Sequence, residues 1–417
     1  MVLNYIWIGF FLIGFTVACI QAFIFGDVQV FERVIASTFD MSKMAVMDVA
    51  LPLAGVMTLW LGLMNIGEQA GAIRFLSKII GPFFSKLFPE IPKNHPVHGQ
   101  LLMNFSANML GLDNAATPMG LKAMQSLQDL NPKKDIASNA QIMFLALNTS
   151  GLTIIPISVL ALRATAKGPD GLVALNPTDV FIPILIATAA STLAAILYVG
   201  IRQKLNLLNK TVLSWIMGVF VLLAAIVLFF SSLDKEQAEI YTSLGSNFLL
   251  FSVIITFMLG AIYKKVNVYE AFIDGAKDGF QMTVKIIPYM IGMLVAIGVF
   301  RASGAMDLIV DLLRSFFSLF QMDTRFVDAL PTALMKPLSG SGAKAMMVET
   351  MTTYGPDSFA GRLSCIFQGA ADTTFYIVAL YFGMVGIKKT RYAITAGLVA
   401  DFFGVIAAIS VAYLFFG

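Results

Sequence analysis

The sequence predicts an all-α polytopic membrane protein built from two inverted repeats, and three observations carry that reading. Of 417 residues, 58% are hydrophobic and 13% charged, with a mean hydropathy of +0.81; a soluble domain carries about 25% charged residues. Apolar runs of spanning length recur along the whole chain. Two further apolar stretches are interrupted at their centres by glycine, proline and polar residues, so neither can run straight through a bilayer. The net charge of +3 is small and gives no basis for a nucleic-acid partner.

Spanning runs fall at 5–25, 44–66, 136–162, 180–202, 212–233, 245–264, 283–300, 359–384 and 391–416, nine candidate spans. The first lacks a positive n-region and an A-x-A site, so it reads as a retained span. Cys19 and Cys365 lie inside apolar runs and read as small core residues rather than disulfide partners or metal ligands.

Between spans, 68–132 and 301–356 each open with an amphipathic segment. In the first, Ile73, Leu76, Ile80, Phe83, Phe84 and Leu87 share a face opposite Arg74, Lys78 and Ser85, the pattern of a helix lying in the membrane interface. Met306, Ile309, Leu313, Phe316, Phe317 and Phe320 repeat it, and FFS recurs at 83–85 and 316–318. The repeat extends outward. Pro52 pairs with Pro288 in the preceding spans, LKAM at 121–124 echoes AKAM at 343–346, and MFLALNTSGLT (143–153) answers SCIFQGAADTT (364–374).

Each amphipathic segment leads into a broken one. Gly99–Gly111 as helix covers roughly 20 Å of the ~30 Å hydrocarbon layer, and Ala115–Leu127 is equally short. Two half-helices meeting at Leu112-Asp113-Asn114 and returning to the same face satisfy both lengths. In Ala329–Met351 the centre, Pro337 to Gly342, is equally unsuited to continuous helix. Non-helical backbone at such depth is tolerated only where protein buries it or a watery cavity faces it. A hairpin adds no crossing, so an odd number of crossings separates the two copies and they are inverted, the sequence signature of a secondary carrier's binding site.

Half-helix ends near the midplane offer N–H groups to anions and carbonyls to cations. The residues expected at a solute site are Asn104, Asn108, Asn114 and Thr117 of the first hairpin, Ser339 and Ser341 of the second, and Asn148, Gln368 and Thr373 of the polar spans. Asp113 and Asp372 are the expected coupling carboxylates, because an ionisable residue inside a span is costly, with Lys344 or a bound cation as partner of Asp372. The implied coupling ion is Na+ or H+, and no cofactor is expected. Asp401 is also mid-span but without close polar neighbours in sequence. His95 and His98 have no third ligand nearby, which argues against a metal. Asp372 and Asp401 invite comparison with intramembrane aspartyl proteases, but Ala371-Asp372-Thr373 and Ala400-Asp401-Phe402 depart from the essential motifs, and GSGAK at 340–344 lacks P-loop spacing. No enzyme is expected.

Lysine and arginine concentrate on the side of the N-terminus (Arg74, Lys78, Lys86, Lys133, Lys134, Arg202, Lys204, Lys210, Lys388, Lys389), which places that side in the cytoplasm. The first span, with two positive charges after it and none before, opposes this locally.

NFSANMLGLDNAATPMGLKAM with LNTSGLTIIP resembles the spore maturation A family, and PLSGSGAKAM with QGAADTTFY resembles the spore maturation B family. Both belong to the nucleoside recognition, or Gate, superfamily, whose arrangement is similar to that of the concentrative nucleoside transporters. The resemblance covers 44–202 and 268–417, with 1–43 as an N-terminal span and loop and 203–267 as two connecting spans. It implies a carrier-like fold with a small polar solute held between hairpin apices and polar spans. The expected function is therefore secondary transport of a nucleoside-like solute, amino acid or related metabolite across the bacterial inner membrane. The competing class is a non-transporting scaffold for envelope or spore maturation. Related elevator-type carriers are often oligomers, so a homo-oligomer is expected by analogy.

Overall fold

The computed structural model describes residues 2–92 and 95–417, the side chains at 2, 3, 113, 114, 235, 236, 238 and 239 lying outside the described set. Among the described residues the chain is helical with no strand, and Ile136–Lys389 is an isolated bridge. The helices run α1 (Val2–Phe23), α2 (Val30–Met44), α3 (Leu51–Ala70), α4 (Ala72–Leu87), α5 (Val97–Met109), α6 (Asp113–Leu130), α7 (Asn139–Ser150), α8 (Ile157–Thr165) and α9 (Phe181–Arg202). They continue as α10 (Lys210–Ser231), α11 (Lys235–Tyr263), α12 (Val268–Ala302), α13 (Ala305–Ser318), α14 (Leu330–Met335), α15 (Gly340–Tyr354), α16 (Phe359–Gly369), α17 (Thr374–Met384) and α18 (Ala393–Phe416).

Eight helical segments among the described residues are long and apolar enough to cross a membrane. The difference from the nine expected lies at 136–162, which is cut into α7 and α8 by an irregular stretch at 151–156. A second correction concerns the loop expected before residue 44. Val30–Met44 is helical, buries Val30 and Val34, and continues through a π turn at Ala45–Ala50 into α3 as a 41-residue run. The run at 283–300, the shortest of the nine, lies within the 35-residue α12.

Both amphipathic helices form, and both start in the same way. Gly71 (φ +87°) precedes α4 and Gly304 (φ +83°) precedes α13. A left-handed residue lets the chain turn sharply out of the preceding helix, and only glycine takes it without a Cβ penalty.

By packing, the chain divides into two compact units that cut across the sequence repeats. One comprises Met1–Thr58, Ser158–Pro177 and Asp278–Gln368; the other comprises Leu59–Ile157, Thr178–Lys277 and Gly369–Gly417. In the first, Trp7 Nε1 donates to Gly292 O at 2.9 Å, and Phe10 packs on Phe300 at 5.0 Å. Its most buried cation, Arg163, donates to Asp357 Oδ1 at 2.7 Å and to Pro356 O, while Leu175 N donates to Asp357 Oδ2 at 2.9 Å. That clamp ties α8 and the loop after it to the turn before α16.

The second unit holds the larger core. Phe84 packs against Phe88 and Phe105 at 5.1 and 5.2 Å, fastening α4 to α5. In lipid the helices gain by close backbone approach rather than by leaving water. A Cβ on Gly275 of α12 would lie 2.4 Å from Leu61 O of α3, so glycine sets that crossing. Along α9 and α18, Ser191 Oγ donates to Ala400 O at 3.0 Å.

Candidate functional site

In the second unit α5 and α6 form the first hairpin, with its tip at Leu110–Leu112. Asn104 is fully buried on α5 and its Nδ2 donates to Ala116 O at 2.8 Å, closing the hairpin across its two arms. The tip is seated by the irregular stretch after α7: Ile154 N donates to Met109 O at 2.6 Å, and a Cβ on Gly111 would meet Ile155 O.

α7 begins with a capping box, Ser138 and Gln141 exchanging side-chain and backbone bonds. It stops at Gly151, whose φ of +53° no β-branched residue would accept. Asn148, one turn earlier, is buried. Its Oδ1 accepts from Asn108 Nδ2 at 2.9 Å and from Tyr381 Oη at 3.4 Å, while its own Nδ2 donates to Phe144 O at 2.8 Å. Tyr381 approaches so closely that a Cβ on Gly120 of α6 would fall 2.2 Å from its hydroxyl and 2.7 Å from Asn104 Nδ2. Hairpin, α7 and α17 thus meet around one amide cluster.

The polar segment at 364–374 is also broken, between α16 and α17 at Ala370–Thr373. The two breaks cross. Asp372 N donates to Thr149 O at 2.7 Å, Thr188 Oγ1 donates to Gly151 O at 2.8 Å, and a Cβ on Gly151 would lie 3.2 Å from Asp372 N. The C-terminal end of α7, whose last carbonyls are taken by Asp372 N and by the hydroxyls of Ser150, Thr153 and Thr188, therefore lies beside the start of α17. Asp372 is exposed, with Oδ1 accepting from Thr373 N at 2.7 Å. Asp401, isolated in sequence, joins this region in space: its Oδ2 accepts from Thr374 Oγ1 at 2.7 Å, and it is buried. Asn104 Oδ1 and Thr373 Oγ1 are buried and without a hydrogen-bond partner among the described residues, the condition of groups that await water or ligand.

Thr117 is half-buried on α6, and the side chains of Asp113 and Asn114 lie outside the described residues. The other expected residues belong to the first unit. There α14 and α15 form the second broken element, and Ser339 caps α15 by accepting from Gly342 N at 3.0 Å, with Ser341 Oγ 3.3 Å from its hydroxyl. Lys344 is half-buried on α15. Gln368 is buried, and its Oε1 has no partner among the described residues.

Sequence reasoning missed three participants. Glu349, buried on α15, pairs with Arg301 at the end of α12 and accepts from Thr353 Oγ1 at 2.8 Å; the signal was the lone acid in Ala329–Met351. Tyr381 and Gly120 carried no comparable signal, because their meaning is contact across α6 and α17.

The family model for nucleoside recognition (Gate) matches residues 50–166 and, separately, 283–388. The chain belongs to the Gate family. The two Gate segments contain in turn α4 to α8 and α13 to α17, so the family's domain occurs twice here. Over 165 residues the chain is 47% identical to Spore maturation protein B of Bacillus subtilis (strain 168), covering 40% of this chain and 91% of that protein. Over 204 residues it is 39% identical to Spore maturation protein A of the same organism, covering 48% of this chain and 97% of that protein. This Gate chain is consistent with a fusion of the two.

Proposed function

We propose that this Gate protein is a secondary transporter of a small polar solute, nucleoside-like, amino acid or a related metabolite, working by alternating access in the bacterial inner membrane. The observation that carries the reading is the crossing of two unwound helices, Asp372 N on Thr149 O, beside a short hairpin whose amides engage Asn148. Such backbone breaks within membrane-spanning segments are tolerated only where protein buries them or a watery cavity faces them, and in secondary carriers they mark the binding site. The two Gate segments stand in inverted orientation, as in the concentrative nucleoside transporters, with the N-terminus cytoplasmic. In the second unit the solute contacts Asn104, Asn108, Asn148 and Thr373, with Asn114 and Thr117 at the hairpin tip. Asp372, with Asp113, takes the coupling Na+ or H+ next to the carbonyl end of α7. Ser339, Ser341, Lys344 and Gln368 are the corresponding polar set of the first unit.

The relatives' names, both spore maturation proteins, favour a second reading, a membrane scaffold for envelope or spore maturation that carries nothing. The two differ in ligand binding. Purified protein is heated with nucleosides, amino acids and short peptides, each with and without sodium. A carrier is stabilised by its solute by mass action, and Asn148→Ala removes the stabilisation; a flat screen across all solutes leaves the scaffold reading in possession.

A further inference from the structure

The second unit contains a cavity of about 90 Å³ whose lining includes none of the amide cluster's polar residues. Its walls include Phe83 of α4, Phe105 and Met109 of α5, Thr192 of α9, and Trp215 and Val219 of α10. The wall is apolar, and its hydroxyl, Thr192 Oγ1, has no hydrogen-bond partner among the described residues. Space of this kind does not hold water well and takes apolar guests. The surroundings say which guest. α10 is bare along the rest of its surface, with Leu213, Met217, Phe220, Val221 and Leu222 exposed, as a helix bathed by acyl chains must be.

The two helices that bear the cavity's aromatic pair each carry a lysine near that pair in the chain. Phe83 and Trp215 pair at 5.7 Å, and Lys86 of α4 and Lys210 of α10 each stand within roughly 8 Å of that pair along their helices. Both lysines are exposed and make no ion pair among the described residues. Apolar space beside unpaired lysines at helix ends is complementary to one amphiphile, an acyl chain with a negatively charged head.

We propose that this cavity is a binding site for an anionic phospholipid, with the end of one acyl chain between α5, α9 and α10 and the phosphate on Lys86 and Lys210. At about 90 Å³ the cavity takes only a short stretch of chain. Because Phe105 and Met109 lie on the arm that carries Asn104 and Asn108, the bound lipid braces the hairpin that the amide cluster depends on. The site stands whether or not the protein transports.

The test uses full-length protein in nanodiscs of phosphatidylcholine alone or with phosphatidylglycerol, reading retained lipid by native mass spectrometry and thermal unfolding in parallel. Phosphatidylglycerol is expected to be retained over phosphatidylcholine by on the order of tenfold, each lysine near the surface contributing its share, and to raise Tm. The double variant Lys86→Glu/Lys210→Glu is expected to abolish that preference while leaving Tm in phosphatidylcholine unchanged. Ala189 of α9 also lines the cavity, and Ala189→Phe, which fills it, is expected to release both lipids. Equal retention of the two lipids, a preference that survives the charge reversal, or undiminished retention in folded Ala189→Phe would overturn the proposal. Should Ala189→Phe not fold, the charge-reversal pair, lying on the surface, decides alone.

Discussion

The hairpin α5–α6 closes itself and docks on its neighbours through side-chain amides, whereas α14–α15 spends the polarity of its tip on starting a helix. In the first, Asn104 bridges to Ala116 O and Asn108 reaches Asn148 on α7. In the second, Ser339 caps α15, and the element is tied at its far end by Arg301 and Glu349. The same family domain, occurring twice, has one copy fastened near its tip and one near its base. A hairpin fastened by neutral amides near the tip keeps its polar groups where a solute can replace one of them. In the hairpin fastened by an ion pair at the base, the tip serine is bonded within its own helix start, Ser339 to Gly342 N.

The comparison breaks most severely at the ion pair. Glu349→Ala leaves the partly buried Arg301 guanidinium with only the longer contact to Asp307, 3.7 Å, among the carboxylates of the described residues, and stability in detergent should fall by about 3 kcal/mol, whereas replacing both partners with Arg301→Met/Glu349→Leu should recover most of it. Loss of folded yield in the single variant with rescue in the double would be read by thermal unfolding. Next comes Gly120→Ala, whose Cβ would collide with the Tyr381 hydroxyl and Asn104. Overpacking there should cost about 1–3 kcal/mol, and adding Tyr381→Phe, which removes the closest of the three contacts, should relieve part of it in the same assay.

Asn108→Ala removes the better of two donors to the buried Asn148 Oδ1 and should cost about 1–2 kcal/mol. Ser339→Ala removes one helix cap and should cost about 1 kcal/mol. Hydrogen exchange sharpens the difference: the first should loosen both α5 and α7, the second only the start of α15. Asp372→Asn should have the smallest effect on folding, within about 0.5 kcal/mol, because the side chain is exposed and the bond to Thr149 uses its backbone N–H.

The first hairpin was legible in the chain because two arms too short to span flank a Gly-Leu-Asp-Asn turn, and the amphipathic helices were legible by their period. The breaks at 151–156 and 370–373 were not, since Leu152, Ile154, Ile155, Ala370 and Ala371 keep hydropathy high while the backbone unwinds. Gly151 and Pro156 were the local warnings. Val30–Met44 was passed over because Glu32, Arg33, Asp40 and Lys43 mask a helix that buries only one stripe. Of the candidate site, Asn104, Asn108 and Asn148 stood out as polar residues in apolar runs, and they do meet. Asp401 looked isolated because its partner, Thr374, lies on the preceding helix, and Arg301–Glu349 is a pairing that no local pattern encodes. The packing units could not be read at all, since each draws on both copies of the repeat.

The most direct test of the carrier account is gradient-driven uptake into proteoliposomes, using radiolabelled uridine and a panel of amino acids under an imposed sodium or proton gradient. The account predicts accumulation by the wild-type protein with at least one solute, and no accumulation by Asp372→Asn although that variant unfolds at the same temperature. Uptake by Asp372→Asn equal to wild type would contradict the role given to this carboxylate, and no uptake of any solute by folded wild-type protein would contradict transport itself.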